Sequence, residues 1–491
     1  MLEALSSVLT LQTTALMLAG LVGGIVAGAL PGLTATMSVA LLVPFTFALD
    51  PMPGLMMLVG VYIGTMHGGA ISAILIHTPG TPAAAATCFD GYPLAQQGKA
   101  SLALNVSAIA STCGGVASAI VLALVAAQIA GFALRIGYFE MFALALFGLS
   151  IIAGVSEGSL TKGLIMGAAG MFISTVGFDP IDAYPRFTFG EPDLYEGISY
   201  IPLLIGVFAM SEALIQAGAP RGNAGVAEGI RNVFPGPADL KRLVPAISLS
   251  SAIGTLVGAI PGAGGDIASF MAYDQARKIS KKPEEFGSGS IEGVAAAETA
   301  NNAVTGGAMI PMLTLGIPGD SVTAILLGAL IVHGLRPGPR LFEENAGFVN
   351  ALFAGLLITN LLVLPIRLIG APLFARAVNI PRHFLWPLVV VLCVVGSFSM
   401  TNTMFSVTLM LAAGVAGYLL RLQGFPMGPL VLGVILGPIA EENLRNALRA
   451  HPGDVAGMIA SPIAAVFIAL AVLSLVLPLV QDWQKKRKRI S

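Results

Sequence analysis

The sequence predicts an all-α integral membrane protein of about 12 transmembrane helices, with added half-helices and hairpins broken at Pro-Gly, arranged as two related, inverted repeats. Three observations lead there. First, 56% of the 491 residues are hydrophobic and 10% are charged, and mean hydropathy is +0.86. A soluble domain carries about 25% charged residues. So few charges cannot cover a water-facing surface of this size, and lipid is the expected outer solvent. Second, apolar stretches of near-spanning length recur along the chain. Third, a Gly/Pro pattern near the start returns in the second half.

A crossing helix needs roughly 20 apolar residues. In chain order the candidates are Leu11–Leu30, Leu33–Leu49 and Leu55–Ile76, then Ser101–Ile136, which is long enough for a tilted or broken helix or a helical hairpin. Phe139–Val155, Leu160–Val176 and Ile198–Ala217 follow. The second half offers Leu243–Ile260, Asn302–Ile317, Val322–His333, Val349–Ile369, Phe384–Met400, Met404–Leu420, Pro429–Ile439 and Val455–Val480. Several are too short, or too rich in Gly and Pro, to be simple crossings.

The chain divides into a first transmembrane half at 1–218, a loop at 219–242, a second half at 243–480 and a basic tail at 481–491. Gly218–Arg242, Arg277–Gly289 and the run Lys485-Lys486-Arg487-Lys488-Arg489 concentrate positive charge. Positive segments favour the cytoplasmic side, so loop and C-terminus are expected there. The first ten residues lack a basic leader region, so the first apolar stretch is expected to be retained. Net charge is −1, which gives no reason to expect nucleic-acid binding. Cys88, Cys113 and Cys393 are widely separated and read as buried thiols, with no disulfide or metal set.

The repeat begins with Gly24-x-x-x-Gly28-Ala29-Leu30-Pro31-Gly32, matched by Gly254-x-x-x-Gly258-Ala259-Ile260-Pro261-Gly262. Farther on, Gly68-Gly69-Ala70 leads to Pro79-Gly80, and Gly306-Gly307-Ala308 leads to Pro318-Gly319, with a one-residue gap needed to keep register. Most glycines read as helix-packing positions. Two matches in the same order point beyond that to a duplication, and paired Gly/Pro-interrupted segments are the sequence mark of a transport site. A broken helix exposes N–H groups that favour an anion at one end and carbonyls that favour a cation at the other.

Around the breaks stand the candidate site residues. For a substrate they are Thr78, Pro79, Gly80, Thr81, Asn301, Asn302, Pro318, Gly319 and Ser321. For a coupling cation, sodium or a proton, they are Asp266, Asp320, Thr36, Gly32 and Gly262. By register Asp266 stands opposite Thr36, and Asp320 opposite Thr81. Either aspartate could equally be a helix cap. Glu298 is expected at the membrane interface. His67 and His77 are candidates for proton handling, although packed histidines are the more frequent case. No Lys or Arg occurs in Gly24–Met37, Gly64–Phe89, Gly254–Tyr273 or Asn301–Leu335. Arg186 and Arg336 remain as possible clamps from elsewhere.

These stretches also carry a resemblance. Gly64–Pro82, Gly258–Asp266, Glu298–Asn302 and Leu315–Asp320 resemble the TctA family, the large membrane subunit of tripartite tricarboxylate transporters, and the likeness extends over nearly the whole chain. It implies a large permease subunit of an ion-gradient-driven secondary transporter in a bacterial cytoplasmic membrane. It further implies a small TctB-like membrane subunit, a periplasmic TctC-like binding protein, and tricarboxylates or related carboxylates as substrates. No cofactor is implied beyond the coupling cation.

An enzyme is disfavoured: there is no His-Glu-x-x-His or Gly-x-Ser-x-Gly, and Gly262–Asp266 lacks the Gly-Lys-Ser/Thr of a phosphate loop. A channel is more naturally a small subunit repeated about an axis. A stand-alone ion:carboxylate symporter stays open as an alternative.

Overall fold

The computed structural model describes residues 6–155, 159–218, 233–377, 382–451 and 461–490, and these are almost wholly helical. In chain order the main helices are α1 (Leu11–Ala29), α2 (Ala35–Thr46), α3 (Pro51–Ile76), α4 (Cys88–Gln96), α5 (Ala100–Ala133), α6 (Tyr138–Val155) and α7 (Leu160–Ser174). Then come α8 (Tyr200–Ala217), α9 (Pro237–Gly258), α10 (Gly264–Ile279), α11 (Ile291–Leu315) and α12 (Ser321–Val332). The last are α13 (Pro339–Glu344), α14 (Ala346–Ala377), α15 (Arg382–Thr401), α16 (Met404–Leu422), α17 (Met427–Ala450) and α18 (Pro462–Ile490). Eight of those described are long and apolar enough to cross a membrane: α1, α3, α5, α8, α9, α14, α15 and α16; α2, α6, α7, α12 and α18 contribute shorter apolar lengths.

Several expected boundaries move. Ser101–Ile136 is one continuous 34-residue helix, α5, because nothing in its Ala-, Ser- and Leu-rich sequence interrupts it. The span expected at Asn302–Ile317 starts a dozen residues earlier, in α11, where small residues make the polar stretch Ile291–Asn301 fully packable. α9 opens at Pro237, inside the expected loop, with proline at its first position. Residues 219–232 and 452–460, which hold most of that loop and the expected start of the last span, lie outside the described residues.

The glycine pattern becomes a seam. On α1, a Cβ at Gly20, Gly24 or Gly28 would fall 2.2–2.5 Å from the carbonyl oxygens of Met57, Val61 and Thr65 on α3. Conversely Gly60, Gly64 and Gly68 of α3 lie on the carbonyls of Met17, Leu21 and Ile25. Both sets run in the same chain direction, so α1 and α3 pack parallel at backbone distance, with α2 returning between them. The second half repeats this: Gly254 and Gly258 of α9 lie on Ala300 and Val304 of α11, and Gly307 lies on Thr255. Gly68 and Gly307 therefore occupy equivalent places, each over the carbonyl of an equivalent residue. The offset is then the same as that of Pro79 and Pro318, so the one-residue gap expected from the sequence is not needed.

Polarity is inverted relative to a water-soluble protein. Thr65, His67, Asn105, Glu298, Asn301 and Asn302 are fully buried, while Ile120, Leu124 and Phe132 on α5 and Phe384 and Leu388 on α15 face outward. Outside the apolar lengths, Asp179 and Arg186 flank a short hairpin (Gly177–Phe178 with Pro185–Arg186) and join Glu441 and Arg445 in an ion-pair cluster. Cys88 and Cys393 are buried as expected; Cys113 is exposed, because it lies on the outer face of α5.

Candidate functional site

Each half supplies two chain breaks, and local chemistry fixes each of them. α1 stops before Pro31, and α2 restarts on Thr34, whose Oγ1 accepts from the Met37 N–H at 3.2 Å. α3 ends on His77 in a left-handed conformation. The chain then turns back so that the Gly80 N–H donates to the Gly69 carbonyl at 3.2 Å. α9 ends at Gly258 and α10 begins at Gly264 (φ +63°), with Asp266 in its first turn. α11 ends at Gly316, and α12 restarts on Asp320, whose Oδ1 accepts from the Thr323 N–H at 2.7 Å. The Gly262 N–H donates to the Gly319 carbonyl at 2.7 Å, joining the two breaks of the second half.

These breaks converge on a cavity of about 540 Å³. Thr34 and Thr36, Thr81 and Pro82, Gly262, Gly264, Gly265 and Asp266, and Asp320 and Ser321 line it, so both breaks of both halves contribute. The halves are also tied to each other beside it. Tyr62 OH donates to Asp320 Oδ2 at 2.5 Å, and Asn301 Nδ2 donates to the Met66 carbonyl at 3.0 Å. With the seam offset just described, Tyr62 and Asn301 are equivalent positions, each reaching into the opposite half.

Of the residues expected to bind substrate, Thr81 and Ser321 line the cavity. Asn301 stands directly behind the wall formed by Met66 and Gly265. Asn302 turns the other way, to Ser111 Oγ and the Glu298 carbonyl. Gly80, Pro318 and Gly319 are buried behind the lining; a Cβ at Gly80 would sit 1.8 Å from the Gly28 carbonyl oxygen, so the glycine serves close approach. Thr78 is exposed and Pro79 half-buried, both at the turn surface and outside the lining. Of the expected cation residues, Asp266, Asp320, Thr36 and Gly262 line the cavity, whereas Gly32 sits against Gln216 and Trp386. Both readings of Asp320 hold geometrically: it caps α12 and it faces the cavity.

Other expectations are corrected. Glu298 is completely buried rather than interfacial, since α11 begins far ahead of it. His77 is exposed and stacks on Tyr92. Arg186 is committed to Asp179 and Glu441, and Arg336 is exposed; neither lines the cavity. The cation that does is Arg421, at the end of α16. It pairs with Glu212 at 2.5 Å and donates to Ser211 Oγ at 3.2 Å. Glu212 follows a π-turn over Ile205–Met210 in α8. Both were legible as lone charges within apolar spans. So was the turn Gly424-Phe425-Pro426-Met427-Gly428, a fifth interruption that also lines the cavity.

The starts of α2, α10 and α12 bring backbone N–H groups and the positive ends of their dipoles to the cavity, which suits an anion. The carboxylates of Asp266 and Asp320 suit a cation beside it, while Glu212 is paired with Arg421. Thr81 Oγ1 and Asn301 Oδ1 are buried with no protein partner, so each keeps hydrogen-bonding capacity. Among the described residues there is no cluster of three or more His, Cys, Asp or Glu that could hold a metal.

A polytopic helical membrane protein whose paired helix breaks line a cavity with polar groups in its wall belongs, as a class, to the membrane transport proteins. The comparisons specify it further. Residues 15–432 match the tripartite tricarboxylate transporter TctA family, and the chain belongs to that family. It is 37% identical over 473 residues to an uncharacterized 52.8 kDa protein in the TAR-I ttuC' 3' region of Agrobacterium vitis, covering 96% of this chain and 94% of that one. It is also 38% identical over 237 residues to an uncharacterized protein in the TAR-II ttuC' 3' region of the same organism, covering 48% of this chain and 98% of that one. No solved structure matches.

Proposed function

We propose that this chain is the large permease subunit of a binding-protein-dependent, ion-gradient-driven importer of tricarboxylates or related carboxylates. The observation that carries the reading is the convergence of the four breaks on one cavity offering helix N-termini, hydroxyls and Arg421 to an anion and carboxylates to a cation. The anion is held by Thr81, Ser321 and the starts of α2, α10 and α12, with Asn301 supporting the wall behind them. Asp266 and Asp320, with Thr36 and the Gly262 backbone, hold the coupling cation, sodium or a proton. The two halves act as inverted repeats, one moving against the other to alternate access. A small membrane subunit and a periplasmic binding protein complete the system in a bacterial inner membrane. The basic run Lys485–Arg489 supports a cytoplasmic C-terminus.

The test is uptake of labelled di-, tri- and aromatic carboxylates by cells expressing the chain with both partners. Each assay runs with sodium, with sodium replaced, and with the proton gradient collapsed. Accumulation that requires one gradient and is lost in Asp266→Asn and Asp320→Asn supports the reading. Full accumulation without the binding protein would instead support a stand-alone symporter, and equilibration without accumulation a channel.

A further inference from the structure

Behind the cavity wall lies a second polar cluster. Glu298 on α11 is 0% exposed. Its Oε1 accepts from Thr87 Oγ1 at 2.5 Å, and its Oε2 accepts from Ser111 Oγ at 3.3 Å. Asn302 Nδ2 donates to the same Ser111 Oγ at 2.8 Å, and His67 Nδ1 stands 3.2 Å from it. No ion pair to Glu298 exists among the described residues. A carboxylate so placed is costly as a bare anion, since a few hydroxyl hydrogen bonds do not replace water.

Glu298, Ser111 and His67 thus form a chain of hydrogen-bonding groups, and His67 Nε2, buried without a protein partner, is its open end. His67 follows Met66 directly, and Glu298 lies one helical turn before Asn301, so the chain backs onto the cavity wall. The other ionisable groups facing the cluster are few. The Cys88 thiol on α4 lies within electrostatic reach of Glu298. Arg367 on α14 is 2% exposed, donates to Asn105 Oδ1 at 2.9 Å and acts through space on His67.

We propose that Glu298 is the seat of a transported proton, loaded through His67 and Ser111 and discharged once per transport cycle; this rests on the transporter reading above. In loading, a proton taken up at Nε2 makes an imidazolium. His67 Nδ1–H then passes its proton to Ser111 Oγ as the serine proton moves to Glu298 Oε2. Imidazolium and carboxylate become imidazole, now carrying its proton on Nε2, and carboxylic acid, with the serine regenerated and charge balanced; discharge runs the same transfers in reverse, Nε2 giving up the proton and Nδ1–H being restored. Because Met66 and Asn301 link this chain to both breaks, occupancy of the cavity can gate the transfer.

The experiment uses the full chain in liposomes and two readouts. Infrared titration of the chain alone should show a protonated-carboxyl C=O band at neutral pH that is missing from Glu298→Gln. The same band in Glu298→Gln, or no such band in the wild type, overturns the proposal. Ser111→Ala should keep the band but slow its hydrogen–deuterium exchange; unchanged exchange overturns the relay even if Glu298→Gln fails to fold. With partners present, citrate is the probe. A one-unit pH gradient supports at most about tenfold accumulation per proton. Glu298→Gln should bring accumulation to about onefold while citrate–citrate exchange across the membrane persists. If Glu298→Gln accumulates citrate like the wild type, the proposal fails. If the wild type neither accumulates nor exchanges any carboxylate, the transporter reading fails while the infrared band still decides the protonation of Glu298.

Discussion

The two halves share a backbone arrangement and differ in what they hang on it. At equivalent places the first half has Thr36 and Thr81, and the second has Asp266 and Asp320. Asp320 is fully engaged, by Tyr62 and by its own helix cap, whereas Thr81 Oγ1 has no protein partner. The linkers differ as well. Four residues, Phe47–Asp50, join α2 to α3, while a charged segment carrying Lys282, Glu284 and Glu285 joins α10 to α11. The glycine seam is thus the part both halves require, and the side chains at the breaks are where they specialise. A symmetric backbone makes the asymmetric site.

The largest effect should come from the shared part. Gly80→Val and Gly319→Val place a Cβ 1.8 and 2.4 Å from backbone carbonyl oxygens, so the helices must separate. Each should cost at least about 1–3 kcal/mol and lower the melting temperature in detergent. Gly23, with open space around it, should tolerate alanine. Equal tolerance at all three would dissolve the seam as the common element.

Next come the specialised residues. Asp320→Ala removes a cap and leaves the Tyr62 hydroxyl and the Thr323 N–H unpaired in a buried place, a loss of about 1–3 kcal/mol together with uptake. Thr81→Ala should stay within about 0.5 kcal/mol of the wild type and change only the apparent substrate affinity. The reverse order of stabilities would show the first-half break to be the structural one. Smaller still is Tyr62→Phe, about 1 kcal/mol, because it deletes a single hydrogen bond between the halves while keeping the ring packed.

The smallest effect concerns the linkers. A hydrogen bond from Lys282 and the nearby Arg242 guanidinium hold Glu285 below the usual carboxylate range, against the opposing effect of partial burial. A depressed carboxylate stabilises above its unfolded value and loses that contribution as pH falls through the folded one. Acidification below about pH 4 should therefore lower the amide protection factors, corrected for intrinsic exchange, in 283–289 and leave those of 47–50 unchanged. Equal responses would mean that the ion pairs do not hold the second linker.

Much of this was legible in the chain. Hydropathy gave the membrane class because lipid-facing helices cannot hide their composition, and Pro31, Pro261, Gly80 and Gly319 marked the breaks because proline and glycine restrict where a helix can continue. The register of Gly68 was misread because Gly306 and Gly307 adjoin, and only the carbonyl each one covers tells them apart. Arg421 and Glu212 lie far from the breaks in sequence, and only tertiary packing brings α8 and α16 to the cavity. Glu298 was misplaced because small residues let α11 continue upstream of it, and Thr78 because adjacency to Pro79 does not say which way a turn faces.

The exposed Cys113 has a practical consequence. With Cys88 and Cys393 buried, it gives the unmodified chain a single outward-facing thiol, open to a lipid-soluble reagent. It lies two residues from Ser111 and one before Gly114, which packs on the Thr299 carbonyl of α11. A fluorophore or spin label attached there would sit on the outer face of α5, opposite the buried cluster. It would report movement of the broken helix by optical or magnetic resonance in real time, with no cysteine introduced and none removed.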